Sequence, residues 1–536
     1  MELINTVSKE KLRGGFYTPL SIASFIIKWA LNGKKDNDIL EPSCGDGVFV
    51  NCLKGSSYNS ITGIELDEIE YLKSKSISAK NYTILNEDFH KYCNTTSNRF
   101  DVVLGNPPYI RYQFFSREQQ QEALKIFRRA NLSYSKLMNA WVSFVVGSSL
   151  LLKDSGKIGF VLPAELLQVS YAHGLRIFLA SFYNKINIVS FRKLVFPDIQ
   201  QEVVLLLCEK NNSNMHKIEH IEIEDANELE TLDVEKLRNP NKKIDFKTNK
   251  WTFYFLDQIE IDFLEELLEN STIPTIGSFA NVEVGITTGA NPYFTVSSDI
   301  VSKYDLQSYA KPMVGRSVQV KSLIFTSQDW KENNENGARS NILLFPLLEN
   351  LKGNGKAIEY IEEGLKQKIN GGYKCGIRNE WQIIPSTKLS EALFIRRNNI
   401  YPRLIINEAQ AHTTDTMHRV WMKNGASMES FVASYYNSIS LAFAEVCGRS
   451  HGGGVLELMP SEVESILLPY HIDNHSLVEY IDAKLRNGES IENILNYTNK
   501  IILKENYGFT NRDIILADKI REKLSTRRIK RGKPNY

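Results

Sequence analysis

The length and composition of the chain narrow its class before any motif is considered. At 536 residues it exceeds what one hydrophobic core usually organises, which predicts about two to four domains. Hydrophobic residues make up 42% and charged residues 24% of the chain, a composition that excludes a disordered or fibrous protein. The 64 basic and 63 acidic side chains nearly cancel, so the total charge does not indicate a nucleic-acid partner.

The sequence also lacks the patterns that direct a protein to a membrane or to a metal. No apolar run reaches the roughly 18 residues of a membrane span, and the polar residues 1–13 do not form a signal or transit peptide, so a cytoplasmic protein is expected. The six cysteines and nine histidines include neither a Cys-x-x-Cys pair nor a His-Glu-x-x-His pattern. We therefore expect neither a disulfide framework nor a metal site.

The first half of the chain alternates between helical and strand patterns. Residues 21–31 carry apolar side chains at helical spacing, and residues 140–152 predict an apolar helix. Short apolar runs predict strands at 38–40, 60–66, 82–85, 100–104, 157–162 and 203–208. Strands separated by helices of this length predict an α/β domain with a mostly parallel, doubly wound sheet covered on both faces.

The composition changes between residues 211 and 250, where Asn, Lys, Asp and Glu are frequent and the pair Asn239-Pro240 favours a turn. We interpret this stretch as a linker or peripheral excursion and place the two domains at 1–240 and 241–536. The second domain has a mixed α+β pattern without a repeat of solenoid period. At its end, residues 526–533 form a basic tail without an acid, for which a solvated, disordered terminus and a phosphate contact are both open interpretations.

Polar motifs follow three successive predicted strands of the first domain. The segment Glu41-Pro42-Ser43-Cys44-Gly45-Asp46-Gly47 is a glycine turn between a strand and a helix, which lets a ligand approach backbone N–H groups. Glu65 ends the second strand at the spacing of a carboxylate that binds ribose hydroxyls. After the third strand, Asp88 can accept a hydrogen bond from an adenine amine while Phe89 covers the ring.

Each of these motifs alone is more often an ordinary loop. Together they predict a ligand site, because open parallel sheets bind ligands at the carboxyl ends of their strands. The loop has no Gly-x-x-x-x-Gly-Lys pattern, which disfavours a triphosphate. An adenosine without phosphates fits the pattern better.

The tetrapeptide Asn106-Pro107-Pro108-Tyr109 follows the fourth strand after a single glycine. Its ordinary interpretation is a turn stiffened by proline. A more specific interpretation is a site that activates an exocyclic aromatic amine for methylation. Such an amine is a poor nucleophile, because its lone pair is delocalised into the ring. The Asn106 amide oxygen and the Pro107 carbonyl could accept its two N–H groups and aim the lone pair at a methyl sulfonium, which is electrostatic preorganisation. Tyr109 offers a face on which an extruded base can stack.

These motifs, with Gly15-Phe16-Tyr17-Thr18-Pro19, resemble the amino-methyltransferases of restriction–modification systems. Their order resembles the γ class, TaqI-type, in which a target-recognition domain follows a Rossmann-like catalytic domain. The resemblance covers most of residues 14–210 and, more loosely, 275–470. It implies that the cofactor is S-adenosylmethionine and that the motif residues border it: Phe16, Tyr17, Thr18, Glu41, Pro42, Ser43, Cys44, Gly45, Glu65, Asp88, Phe89, Asn106 and Pro108.

The same resemblance assigns the catalytic role to Asn106, Pro107, Pro108 and Tyr109, and adds Phe196 as the second aromatic residue around the flipped base. From its sequence alone, Phe196 before Pro197 would be interpreted as a buried plug of a loop. The geometry of the tetrapeptide also suits the N4 amine of cytosine. Adenine is favoured because relatives with Asn at this position mostly modify adenine.

The second domain is expected to grip duplex DNA and read base edges. Glycines and small polar residues at 283–291, and basic residues at 311–321, 396–397 and 447–454, suit this role as a set, although each cation alone is more often a solvated surface residue. The resemblance favours these residues as DNA contacts: Arg316, Arg403, Arg419, Arg449 and His451.

The interpretation that follows is a monomeric enzyme that methylates adenine N6 in double-stranded DNA and protects it from a separate cognate restriction endonuclease. An RNA methyltransferase with the same tetrapeptide is the main alternative. A protein-glutamine methyltransferase would not need a large second domain. A non-catalytic subunit would be expected to have lost Asn106 or Tyr109, and no nuclease motif is evident for a fused restriction enzyme.

Overall fold

The computed structural model describes residues 17–531, apart from 32, 136–137, 197–201, 212, 235–236, 238, 245–249, 271, 352 and 424. The chain forms two compact units, Met1–Asp262 and Phe263–Tyr536. The sequence placed this boundary earlier, at residue 240. Within the described residues, no helix is both long and apolar enough to cross a membrane.

The first unit is built on a nine-stranded sheet with the order β3-β2-β1-β4-β5-β7-β6-β8-β9. Strands β1 to β5 run parallel, and β7 runs antiparallel to both of its neighbours. The strands are β1 (Asp38–Glu41), β2 (Ser60–Ile64), β3 (Tyr82–Leu85), β4 (Phe100–Gly105), β5 (Leu152–Pro163), β6 (Lys185–Phe191), β7 (Val203–Glu209), β8 (Lys217–Ile223) and β9 (Lys242–Lys243).

Helices cover both faces of this sheet. In β4, Val102 and Leu104 share a hydrophobic cluster with the helix Leu20–Leu31, while Val103 between them is buried on the opposite face. The helices of the unit are Leu20–Leu31, Val48–Leu53, Glu68–Lys75, Phe89–Thr95, Arg117–Arg129, Trp141–Leu150, His173–Phe182 and Gln258–Asn270, the last of which contains the unit boundary. The predicted doubly wound, mostly parallel α/β architecture is therefore confirmed.

The predicted linker at 211–250 is wrong, because β8 and β9 of the main sheet lie inside it. Strand β8 pairs in parallel with β6, another strand that the sequence did not reveal. In β8 the buried residues Ile218 and His220 alternate with half-buried Glu219 and Ile221. This is the pattern of a strand that is only partly covered, and the high content of charged residues concealed it.

The second unit combines three small sheets with helices. The sheets have the orders β10-β18-β14-β16, β11-β13-β12-β17 and β15-β20-β19. Their strands are β10 (Ala280–Val284), β11 (Thr295–Val296), β12 (Ala310–Val314), β13 (Asn341–Leu343), β14 (Ala392–Ile395), β15 (Arg397–Asn398), β16 (Leu404–Ile406), β17 (His412–Thr413), β18 (Met417–Met422), β19 (Arg449–His451) and β20 (Val455–Glu457). The helices are Ile276–Phe279, Asn291–Phe294, Ser298–Lys303, Ser327–Glu335, Gly355–Lys366, Tyr373–Gly376, Met428–Tyr435, Ser438–Cys447, Pro460–Glu464, Val478–Arg486, Ile491–Asn499 and Asn511–Arg531.

The basic tail is part of this fold as far as the structure describes it. The helix Asn511–Arg531 packs on the helix Ser438–Cys447, and Arg528 is only 2% exposed. Its guanidinium forms a two-point ion pair with Glu445, with Nε–Oε2 and Nη2–Oε1 distances of 3.1 and 2.6 Å. The expectation of a solvated or phosphate-binding tail is therefore wrong for Arg528. Residues 532–536 lie outside the described residues.

Replacing Arg528 with Ala should lower the free energy of unfolding by about 3–5 kcal/mol, because it leaves the Glu445 carboxylate buried without its counter-charge. Urea unfolding followed by tryptophan fluorescence measures this. Arg512→Ala, at an exposed position of the same helix, is the matched control and should change the midpoint little. Equal midpoints for the two variants would contradict a stabilising role of the pair.

Candidate active site

Two loops of the first unit meet where the strand order of the sheet reverses. Strands β1 and β4 are parallel neighbours, yet the chain continues from β1 to β2 on one side and from β4 to β5 on the other. Such a reversal opens a crevice at the carboxyl ends of the strands. The Ser43 hydroxyl, in the loop after β1, donates a hydrogen bond of 3.4 Å to the backbone carbonyl of Asn106, after β4. The structure thus brings the glycine loop and the tetrapeptide together.

Glycines at this junction adopt backbone conformations that other residues rarely adopt. Gly105, the last residue of β4, has a φ of 155°, and a Cβ placed on it would be at ordinary contact distance, 3.7 Å, from Glu41 and Pro42. Gly47 has a φ of 83°, and a Cβ there would lie 2.2 Å from the Ile77 side chain. Gly45, in contrast, has a positive φ of 50° with open space where its Cβ would be. The predicted close approach of a ligand therefore fits Gly45, whereas Gly47 serves packing.

Glu65 braces the glycine loop from the end of β2. One carboxylate oxygen accepts the Gly45 N–H at 2.8 Å and the other accepts the Asp67 N–H at 2.8 Å. Each oxygen keeps a second lone pair, so Glu65 can still accept a ligand hydroxyl. The position of Cys44 is also fixed, because its N–H donates to the Ile64 carbonyl at 3.0 Å and its side chain is 2% exposed.

Glu41 is the unusual group of the site. It is 2% exposed, and its Oε2 atom is buried without a hydrogen-bond partner among the described residues. Burial, together with the charges of Asp46 and Glu65, raises the pKa of Glu41 well above its usual range. Buried polar atoms normally have partners, so this carboxylate at the carboxyl end of β1 fits a ligand that brings a donor or a positive charge.

Asp88 is held as an ionised acceptor at the start of the helix Phe89–Thr95. It accepts the Lys91 N–H at 3.0 Å and the Gln119 amide at 3.0 Å. Burial raises the pKa of Asp88, but the hydrogen bond and charge of His90 and the other donors outweigh it and lower the pKa to about 2. An acceptor of this kind suits an adenine amine.

The aromatic residue beside it behaves differently from the expectation. Phe89 is 2% exposed, and its ring stacks on Phe144 with a centroid distance of 5.0 Å. The ring packs between helices, so its broad face is not offered to an adenine. His90 was not foreseen at all. It is fully buried, with Nε2 2.8 Å from the Ser143 hydroxyl, and it links the Asp88 loop to the helix Trp141–Leu150.

The tetrapeptide is anchored at its aromatic end. The Tyr109 hydroxyl donates to the Val161 carbonyl of β5 at 3.0 Å, and burial raises the pKa of this hydroxyl. Pro107 is buried, while Asn106 and Pro108 are half-buried. Phe196 is 8% exposed and belongs to the hydrophobic cluster that Tyr109 borders, in keeping with the buried plug that its sequence alone suggested. Its stacking on a base stays a proposal.

The N-terminal motif is only partly within the described residues. Phe16 lies outside them. Tyr17 is 61% exposed and Thr18 is 6% exposed. Neither placement tests the predicted contact with a cofactor.

The structure corrects two of the predicted DNA contacts. Arg419 is 6% exposed and donates to the carbonyls of Ser386 at 2.7 Å and Val284 at 3.2 Å, so its guanidinium is used inside the fold. Arg403 donates to the carbonyls of Ser317 and Val320 at 2.7 and 2.9 Å. The sequence gave no sign of these acceptors, because they come from distant segments of the chain.

The other three predicted DNA contacts lie at least partly at the surface. Arg449 is half-buried and pairs with Glu462 at 3.0 Å. His451, 48% exposed, lies 3.0 Å from Glu457. Arg316 is exposed.

Comparisons with known proteins agree with these features. The family model described as Eco57I restriction-modification methylase matches residues 22–196, and that of the C-terminal domain of the type II methyltransferase M.Eco57I matches residues 248–503. The type II methyltransferase M.AccI of Acinetobacter calcoaceticus is 24% identical over 537 residues, covering 95% of this chain and 94% of that protein. The chain belongs to the type II restriction–modification methyltransferase family.

Further relatives of this methyltransferase match over shorter stretches. M.HincII of Haemophilus influenzae is 29% identical over 231 residues, 43% of each chain. RM.Eco57I of Escherichia coli, a type II restriction enzyme and methyltransferase, is 27% identical over 202 residues, 37% of this chain and 20% of that protein. The structure of the type IIG restriction endonuclease BpuSI aligns with a TM-score of 0.40 and 14% identity, covering 97% of this chain and 66% of that one. A likeness at that level carries no functional inference.

The family implies S-adenosylmethionine as the methyl donor. The site fits this cofactor, which carries a positive sulfonium and an ammonium group. Glu41 supplies a buried carboxylate oxygen without a partner, and Asp88 supplies an ionised acceptor. Negative groups at the carboxyl ends of β1 and β3 are suited to hold a cationic adenosine derivative.

Replacing Glu41 with Gln should weaken the binding of S-adenosylmethionine at least about tenfold, or about 1.4 kcal/mol, while raising the melting temperature of the free enzyme. The ionised Glu41 destabilises the free fold because its pKa is raised. Lowering the pH from about 8 to about 5 protonates Glu41 and should therefore stabilise the ligand-free wild type. The same change of pH should stabilise the variant less, because a glutamine at this position does not titrate. Calorimetric titration and thermal melts measure both effects. Glu68→Gln, at an exposed position, is the control, and unchanged cofactor binding in Glu41→Gln would contradict the assignment.

Proposed function

We propose that this enzyme transfers the methyl group of S-adenosylmethionine to N6 of an adenine in double-stranded DNA, at a specific site, and so protects that site from a separate cognate restriction endonuclease. The observation that carries the proposal is the hydrogen bond between Ser43 and Asn106. It joins the predicted cofactor loop to the predicted catalytic tetrapeptide at the reversal point of the sheet, where such a reaction needs them side by side.

The reaction requires the protein to position a weak nucleophile, the exocyclic amine of the base. The Asn106 amide oxygen and the Pro107 carbonyl accept the two N–H groups of the exocyclic amine and turn its lone pair outward. The prolines fix these acceptors, since their φ angles are restricted. S-adenosylmethionine, when bound, supplies the electrophilic methyl group, and Glu41, Glu65 and Asp88 are the residues that would hold it.

The target base must leave the duplex to reach this loop. Tyr109 is suited to receive it, because the hydrogen bond of its hydroxyl to Val161 fixes the plane of the ring before a base stacks on it. A fixed aromatic face costs little entropy on stacking, which is worth about 1–3 kcal/mol per base. Phe196 is proposed as the second aromatic contact.

Duplex DNA as substrate is supported by the second unit. The part of this unit that matches the C-terminal domain model of the family exposes Arg316, Arg449 and His451 to different degrees, which suits contact with phosphates. The enzyme is proposed to act as a monomer. The N4 amine of cytosine and an RNA base are chemically equivalent targets and are distinguished by the product.

Replacing Asn106 with Ala should lower the rate of methyl transfer by about 10²–10³-fold, the usual effect of removing one preorganised polar group. The assay follows radiolabelled methyl from S-adenosylmethionine into unmethylated genomic DNA, which is then digested to nucleosides. The label is expected on N6-methyladenosine. Asn98→Ala, at an exposed position just before the opposite end of β4, is the control and should remain active. Label on N4-methylcytosine, or on RNA with DNA untouched, would overturn the proposed substrate.

A further inference from the structure

A short loop of the second unit exposes an aliphatic side chain beside a cation. Residues 315–320 follow β12, and Val318 at their tip is 83% exposed, the largest value among the exposed large hydrophobic side chains of the described residues. Arg316, two residues before it, is also exposed. Single exposed apolar residues are common on protein surfaces, so exposure alone does not indicate a function.

The backbone of this loop is held in place by hydrogen bonds to side chains on its inner side. The side chain of Gln319 is buried, and its Oε1 atom accepts the N–H groups of Gly315 at 2.7 Å and Arg316 at 2.8 Å. Asn333 donates to the Gln319 carbonyl at 2.9 Å, and Val320 is 3% exposed. The start of the loop and the residue that follows Val318 are thus fixed by the buried Gln319 side chain and by Asn333.

Arg403 completes this support. Its guanidinium spans the base of the loop and donates to the carbonyls of Ser317 and Val320, the residue before Val318 and the one that ends the loop. This explains why Arg403, which resembled a DNA contact in the sequence, is turned inward. Its role is to hold the loop that presents Arg316 and Val318.

The neighbouring loop, from which Arg403 comes, also has an exposed aliphatic residue near an arginine. Ile400 is 64% exposed, and its carbonyl accepts a hydrogen bond of 3.4 Å from the buried Arg528. Arg397 in the same stretch has a side chain that is 68% exposed. Two adjoining loops, one supported by the half-buried Arg403 and the other by the buried Arg528, therefore combine an exposed aliphatic tip with an arginine at the surface. The Arg397 cation pairs with Glu457 at 3.1 Å.

We propose that the loop 315–320 is a rigid element that inserts into duplex DNA, with Val318 wedged between stacked bases and Arg316 on the phosphate backbone. This rests on the proposed function of the enzyme. Apolar side chains that enter a base step unstack it and lower the energy needed to extrude a nucleotide. A β-branched valine on a fixed loop has few rotamers to lose on insertion, and the cation beside it matches the charge of the strand.

The test compares Val318→Ala, Val318→Ile and Arg316→Ala with the wild type in methyl transfer to unmethylated genomic DNA. Val318→Ala should lower kcat/KM for duplex DNA at least about tenfold with unchanged binding of S-adenosylmethionine and unchanged melting temperature, and Val318→Ile should restore it. Arg316→Ala should weaken DNA binding and reduce the slope of log affinity against log salt concentration by about one. The matched controls Ile515→Ala and Arg512→Ala, at exposed positions of the C-terminal helix, should behave as wild type.

The two hypotheses fail in different ways. A wild-type enzyme that transfers no methyl group to DNA would overturn the proposed function, and the inserting loop with it. An active wild type whose Val318→Ala variant stays within about twofold in kcat/KM would overturn the inserting loop alone. The variant Arg403→Lys loses the two-point contact with the loop and provides a further measurement. If it methylates DNA more slowly but binds S-adenosylmethionine normally, Arg403 acts by positioning the loop.

Discussion

Two parallel strands that end side by side impose the main constraint on this molecule. Because β1 and β4 are neighbours while the chain leaves them in opposite directions, the loops that follow both strands must share one crevice. Gly105 supplies a positive φ at the end of β4, and the Ser43 hydroxyl donates a hydrogen bond to the Asn106 carbonyl. Every other proposed site residue of the catalytic unit is positioned relative to this junction, which explains why short motifs far apart in the sequence can act together.

The crevice gathers three acidic side chains before any ligand arrives. Glu41 is buried without a partner, Glu65 is drawn in by backbone N–H groups, and Asp88 is held ionised by His90 and its other donors. Because burial raises the pKa of Glu41, its ionised form lowers the stability of the empty protein, and a bound cationic adenosine compound would offset that loss. Ligand binding and folding stability are therefore linked through this carboxylate.

Much of the catalytic unit could be predicted from sequence, because its strands are short apolar runs followed by distinctive polar motifs. The strands β1 to β5 and β7 were predicted in this way. Strand β8 was missed, since its alternating charged residues resembled a linker. The inward roles of Arg403 and Arg419 could not be foreseen, because the carbonyls that bind them come from distant segments. The burial of Phe89 against Phe144 and the support of Asp88 by His90 also depend on packing between helices that no local pattern records.

The pairing of Arg528 with Glu445 has a consequence for the order in which the two units fold. This residue closes a buried contact with Glu445, 83 positions earlier, and also binds the carbonyl of Gly454. During synthesis the first unit can fold while the ribosome is still adding residues of the second. In the second unit, Glu445 gains its counter-charge only when the helix Asn511–Arg531 packs against the helix Ser438–Cys447. The core around Glu445 is thus completed by a segment that follows it in the sequence, and it stays less protected from proteolysis until that helix docks.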